Sequence, residues 1–138
     1  MTGLLILSFL VVADVHGLNL VKNPSFEEVD QQGRAVGWEY SPAVYSIDNN
    51  VAHSGRRSLR FHNADPNRYE LCAQTLRLKA GQYYEFSVWV KTKGIKGKDS
   101  GATICMEWWG RAGKYLGGSY PRGVKGDTDW TLIRGYAG

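Results

Sequence analysis

The stretch Gln82–Gly94, QYYEFSVWVKTKG, decides the fold. Tyr84, Phe86, Val88 and Val90 alternate with Tyr83, Glu85, Ser87, Trp89 and Lys91, and a period of two places the two sets on opposite faces of a strand. One face is apolar; the other mixes acid, hydroxyl, cation and one tryptophan. Gly101–Gly110, GATICMEWWG, repeats the arrangement with Ala102, Ile104, Met106 and Trp108 against Thr103, Cys105, Glu107 and Trp109. The adjacent tryptophans therefore part company: Trp108 belongs with the core set and Trp109 with the polar one.

Further strands read outward from these two. Leu18–Glu28 (LNLVKNPSFEE) gives a short strand closed by Pro24, and the polar loop 29–36 leads into 37–47 (GWEYSPAVYSI). Ser58 to Asn63, residues 69–81 (YELCAQTLRLKAG) and 129–137 (DWTLIRGYA) follow. Segments of this length, punctuated by Gly, Pro, Asn and Asp, mark an all-β sandwich or barrel. The 17 glycines and the want of any long 3.6-residue apolar period argue against helix. Neither an internal repeat nor an interdomain linker divides the chain, so one domain is expected.

Leu4–Ala13, LLILSFLVVA, is an apolar run of ten, short of the roughly 20 residues that span a bilayer. It reads as the core of a secretory signal peptide over residues 1–17. Small residues at Val11 with Ala13, or Val15 with Gly17, set cleavage before Asp14 or Leu18. The expectation is a secreted, extracellular domain over 18–138 with no membrane span. Net charge is +4, but the basic residues are scattered, Arg56, Arg57 and Arg60 in one group and Lys91, Lys93, Lys96 and Lys98 in another. Solvated loops account for both, and no nucleic-acid partner is expected. Cys72 and Cys105 are either a disulfide, which an oxidising compartment would preserve, or two small buried side chains that never meet.

Catalytic chemistry finds little support. His16, His53 and His62 have no acidic or cysteine partner at a ligand spacing, and 94–99 (GIKGKD) lacks the second glycine spacing and the hydroxyl of a phosphate loop. Glu85 and Glu107 are the one carboxylate pair that would serve a glycoside hydrolase. Binding is better served. A pyranose has a face of C–H groups and a rim of hydroxyls, which suits an aromatic platform flanked by carboxylate and amide groups. Trp89, Trp109, Glu85, Glu107 and Gln74 supply that set. That Trp89 and Trp109 instead pack beneath a loop or a second sheet stays open at this point.

The ordered pieces NLVKNPSFEE, GW, HSGRRSLRF, LKAGQYYEFSVWVK and DWTLIRG together resemble the carbohydrate-binding modules of the family 4, 9 and 22 group, over about residues 18–138. The resemblance implies a galactose-binding-like β-sandwich jelly roll of two antiparallel sheets, a non-catalytic module that holds a polysaccharide or oligosaccharide. It also implies a neighbouring glycoside hydrolase domain in a larger glycan-active protein. It further implies a structural calcium ion, held by the acid at Glu27 and backbone carbonyls of the Ser54–Gly55 turn. In the family a strand with an acidic pair follows the element matched by DWTLIRG, so the jelly roll is expected to lack its closing C-terminal strand. A jelly-roll adhesion module that binds protein is the competing expectation.

Overall fold

A computed structural model describes residues 1–13, 17–98 and 100–138, apart from the side chains of Phe9 and Val11. Asp14, one of the two expected mature starts, lies with Val15 and His16 outside the described residues. Among the described residues the chain is all-β with one turn of 3-10 helix, Arg111–Gly113, and seven strands form: β1 Thr2–Ala13, β2 Tyr45–Asp48, β3 Ser58–Asn63, β4 Tyr84–Lys96, β5 Met106–Trp109, β6 Tyr115–Ser119 and β7 Gly126–Ala137. Five of them make one antiparallel sheet in the order β2-β3-β1-β4-β7, and β5 with β6 makes a separate hairpin. No helix among the described residues is long and apolar enough to cross a membrane.

The apolar N-terminal run, read above as a leader, is the middle strand of the sheet. β1 pairs with β3 from Gly3 opposite Asn63 to Leu7 opposite Leu59, and with β4 from Thr2 opposite Lys96 to Ala13 opposite Glu85. A strand covered on both faces reads as a continuous apolar run rather than an alternating one, and the consecutive Leu5, Ile6 and Leu7 are all buried. Side-chain amides fasten both ends. Asn63 Nδ2 donates to the Met1 carbonyl at 2.9 Å. Asn19 Oδ1 accepts from the Val12 and Val21 amides at 3.1 Å each, while its Nδ2 donates to the Leu10 carbonyl at 3.0 Å.

The core lies between the inner face of this sheet and a second layer. The sheet contributes Leu5, Leu7, Val12, Leu59, Phe61, Phe86, Val88, Val90 and Ile133. The opposing layer is built mainly of loop segments that carry Val21, Phe26, Ala35, Trp38, Tyr40 and Ala102, with Ile104, Met106 and Trp108 packed at its edge. Phe26 is fully buried, its ring centroid 5.1 Å from that of Trp38, whose indole N–H donates to the Asn23 carbonyl at 3.0 Å. The phenylalanine of the NPSFEE stretch and the tryptophan of the GW pair are thus two halves of one packing contact.

Two expected strands are corrected. Residues 18–24 form no ladder beyond a single bridge of Asn19 to Ala13, because Asn23 and Phe26 take positive φ and the chain turns. Residues 69–81 alternate between exposed and half-buried side chains as a strand does, yet only Ala73 finds a backbone partner, in Glu39. Alternation reports two unlike faces; a strand also needs a neighbouring edge with free amides and carbonyls. Conversely, β6 in the glycine-rich YLGGS was not foreseen. Cys72 and Cys105 are free thiols, the first packed against the core and pushed by burial up to about 12, the second exposed.

Leu5, Ile6, Leu7, Leu10 and Val12 of β1 are buried, and at about 1.5 to 3 kcal/mol per fully buried apolar side chain their loss is of the order of 10 kcal/mol. That matches the whole stability of a typical domain, about 5 to 15 kcal/mol. A chain lacking residues 1–17 is therefore expected to lose its cooperative thermal transition by circular dichroism, while the full chain melts in one step. A thiol reagent at pH 8 should label Cys105 in the native protein and Cys72 only after unfolding, as read by mass spectrometry.

Candidate functional site

The hairpin β5–β6 presents an exposed aromatic cluster that also carries an acid. Strand alternation sends Met106 and Trp108 toward the core and Glu107 and Trp109 outward, and Trp109 is 57% exposed. Glycine makes this geometry fit: β6 places Gly117 opposite Trp108, and a Cβ there would stand 2.9 Å from the indole. A register shift between Trp108 and Trp109 then sets Trp109 opposite Tyr115. Their rings meet edge to face with centroids 5.1 Å apart. The Tyr115 hydroxyl is 3.1 Å from that of Tyr120, and Tyr120 donates to Glu107 Oε1 at 2.7 Å. Bonds to Tyr115 and then Glu107 hold the Tyr120 phenol above its ordinary pKa, so it stays a donor through the physiological range. The outcome is an exposed aromatic floor with a carboxylate and two phenols along one rim.

The other residues expected in one carbohydrate site lie elsewhere. Trp89 is on β4, on the outer face of the five-stranded sheet, where it is half-buried beneath His53; the rings stack at 4.1 Å with planes 12° apart. Trp130 of β7 meets the same imidazole edge to face at 5.5 Å. Both readings of the tryptophans thus apply, one to each: Trp109 is a free platform and Trp89 packs beneath a loop. Glu85 is ion-paired with Arg134 at 3.0 Å, also on the outer face. Glu85 and Glu107 therefore belong to different sheets and are held by different partners. Gln74 serves as a tie in the loop layer: its Oε1 accepts from the Lys22 amide at 2.8 Å, and its Nε2 donates to the carbonyls of Lys22 and Gly37 at 2.9 and 3.1 Å. Sequence reasoning missed Tyr115, Tyr120, His53 and Trp130.

A hollow of about 340 Å³ beside β2 is lined by Arg34, Tyr40, Tyr45, Asn49 and Arg57. It offers no free ring face, since Tyr40 and Tyr45 are core residues and the Arg34 guanidinium already lies over the Tyr40 ring at 5.0 Å.

Glu27, expected to hold calcium, is a loop anchor. Its Oε1 accepts from the amides of Arg56 at 2.7 Å and Arg57 at 3.0 Å, and the Arg57 guanidinium donates to the Glu27 carbonyl. Gly55, at φ +68°, lies so close that a Cβ would strike the carboxylate. Calcium asks for six to eight oxygen ligands; here two amides bond one carboxylate oxygen and the guanidinium bonds the backbone carbonyl, and no three His, Cys, Asp or Glu side chains gather as a metal site among the described residues. If loop bonding is the whole role of Glu27, chelator leaves the melting curve of the protein unchanged; a lower melting temperature in chelator gives it a metal-holding role as well. Glu27→Ala strands two amides, so by chemical denaturation it should cost about 1 to 3 kcal/mol.

Comparison with known proteins gives one family. No curated protein and no solved structure matches the chain. The profile of the carbohydrate binding domain of the 4/9 group matches residues 18–114, from the loop that follows β1 to the hairpin turn and including β5 with Glu107 and Trp109. With well over half of its length matched, and with an antiparallel all-β fold, the chain belongs to the family of carbohydrate-binding domains of the 4/9 group.

Proposed function

We propose that the chain is a non-catalytic polysaccharide-binding module of a glycan-active protein, and that it holds sugar on the outer face of the β5–β6 hairpin. The observation that carries this reading is the juxtaposition at one exposed spot of Trp109, Tyr115, Tyr120 and Glu107. A sugar ring stacks its C–H face on Trp109, with Tyr115 standing beside it as an edge-on wall. Glu107 accepts from ring hydroxyls, and the Tyr120 phenol, already bonded to that carboxylate, fixes its direction. Carboxylate and phenol together offer acceptors and donors along one side only, so the ligand lies across the face with its other side in water. The flanking glutamates lack the paired arrangement of a hydrolase, which favours binding over turnover by this domain. Attachment to a glycoside hydrolase would give such a module its use, since it keeps a slow enzyme at an insoluble substrate. The exposed Leu116 beside the same rings favours one competing reading, a docking face for a protein.

Depletion of the protein from solution by insoluble glucan, xylan or chitin separates the two. Retention on at least one polysaccharide supports sugar binding, and none on any of them favours a protein partner. Trp109→Ala should weaken retention while shifting stability by no more than about 0.5 kcal/mol, as for other surface positions. Trp108→Ala should cost about 3 kcal/mol, because it removes a ring packed against the core. Equal destabilisation by the two variants would overturn the assignment of Trp109 to the binding face.

A further inference from the structure

β2 is an edge strand of the five-stranded sheet, paired with β3 on one side only. Consecutive strand residues face opposite ways, yet the hollow of about 340 Å³ is lined by Tyr45, Ser46 and Ile47 together and by no residue of β3. It therefore runs along the open edge of β2. The backbone phase of that edge is fixed by the His62 amide, which donates to the Val44 carbonyl at 2.9 Å. Bonded positions alternate in an antiparallel pair. With Ser46 opposite Arg60 and Asp48 opposite Ser58, residues 46 and 48 bond β3, while the amides and carbonyls of Tyr45 and Ile47 point to the open side. The Tyr45 amide donates to the Ser41 carbonyl at 3.0 Å. The Ile47 amide and carbonyl find no partner among the described residues.

The same hollow is cationic. Arg34 and Arg57 line it and no acid does. Arg34 Nη2 donates to the Tyr40 carbonyl at 2.8 Å, and Arg57 donates through Nε to Asn49 Oδ1 at 3.0 Å and through Nη1 to the Glu27 carbonyl. Neither guanidinium bonds a carboxylate among the described residues. The nearest acids in the chain are engaged by backbone. Asp30 Oδ1 accepts from the Gln32 and Arg34 amides at 2.9 Å each, Asp48 Oδ1 from those of Asn50 and Val51, and Glu27 Oε1 from those of Arg56 and Arg57. Two forks are thus fixed in direction with their charge unanswered, and a pre-organised fork loses little freedom when it takes a ligand.

We propose that the hollow docks an extended acidic segment of a partner protein, which adds its backbone to Ile47 and sets a glutamate or aspartate carboxylate on Arg34 and Arg57. Addition of a strand to an open sheet edge is a general mode of peptide capture, and a guanidinium meets a carboxylate with two parallel bonds. Val29, Pro42 and Ile47 supply apolar walls for the neighbouring side chains. The volume stands at the low end of ligand sites, about 300 to 1,000 Å³, so only a few residues of the partner enter. Since Tyr40 and Tyr45 belong to the core, the hollow has no platform for a sugar ring, and this surface is independent of the hairpin.

The test uses the full chain with the peptides acetyl-TVEVTV-amide and acetyl-TVDVTV-amide, by calorimetry at low salt. Altered peptides leave the protein untouched. Glutamine in place of the glutamate should weaken binding roughly 10- to 100-fold, the range for a charge-assisted bond. Methylating one alternate set of backbone nitrogens should abolish binding, while methylating the other set spares it, because a strand bonds its neighbour through every second residue. Arg34→Gln and Arg57→Gln should each weaken the acidic peptides and leave the glutamine peptide unchanged, whereas a merely unfolded variant loses both. Trp109→Ala should bind all of them as the parent does. The proposal is overturned if the parent binds neither acidic peptide, if the glutamine peptide binds equally well, or if neither methylated set matters. Binding of polygalacturonate that depends on Arg34 and Arg57, with no binding of the peptides, also overturns it and gives the hollow to an acidic polysaccharide.

Discussion

The whole domain hangs on the insertion of β1 between β3 and β4. Its neighbours do not pair with each other: β2 and β3 lie on one side, β4 and β7 on the other, and β1 supplies the backbone partners for both. The inner face of the sheet is consequently continuous only while Leu5, Leu7 and Val12 bridge Leu59 and Phe61 to Phe86, Val88 and Val90. The same property that makes the segment look like a leader, unbroken apolarity over ten residues, is what a strand covered on both faces requires. Hydrophobicity alone does not tell the two apart; in the structure the segment is paired along both edges.

On that platform the molecule separates packing from display. Side chains at consecutive positions of β5 have opposite employment, with Trp108 filling the edge of the core and Trp109 standing in water. The glycines of β6 allow the inner indole to lie against backbone, where any larger residue would push the hairpin away. The outer sheet face follows another rule. Its tryptophans are not left bare but covered by an imidazole on a loop, and its charges are mutually satisfied in the Glu85–Arg134 and Lys91–Asp129 pairs. An aromatic patch hidden from bulk water is protected from non-specific association.

Much of this was legible in the sequence, and the failures have physical causes. Ser58 to Asn63 was read with its observed limits, and the inward set Tyr84, Phe86, Val88 and Val90 is buried as its alternation demanded. The family, too, could be recognised from short ordered motifs, whose Phe26, Trp38 and Gly55 turn out to be packing and turn residues. Residues 69–81 misled because a two-faced extended segment lies over the core without a ladder. The site was half legible: alternation separates Trp109 from Trp108, but it cannot say that Trp89 lies on a different sheet. Gln74 and Glu85 were chosen for their chemistry, and chemistry is silent about which groups the fold has already engaged. Tyr115 and Tyr120 escaped notice because glycines between them weakened any strand pattern.

The hairpin has one more consequence, for the history such a surface can have. β5 and β6 pair with each other and with no strand of the main sheet, so the outward residues at 107, 109, 115 and 120 share neither ladder nor core with the elements that keep the domain folded. Substitutions there are expected to cost little in stability, and on the proposed reading they change what the surface holds. Most destabilising changes are instead confined to β1, β3 and β4. A lineage built on this frame is free to drift in what it recognises while its scaffold stays under constraint, and sequence divergence should accumulate faster on the outward face of the hairpin than anywhere in the buried sheet.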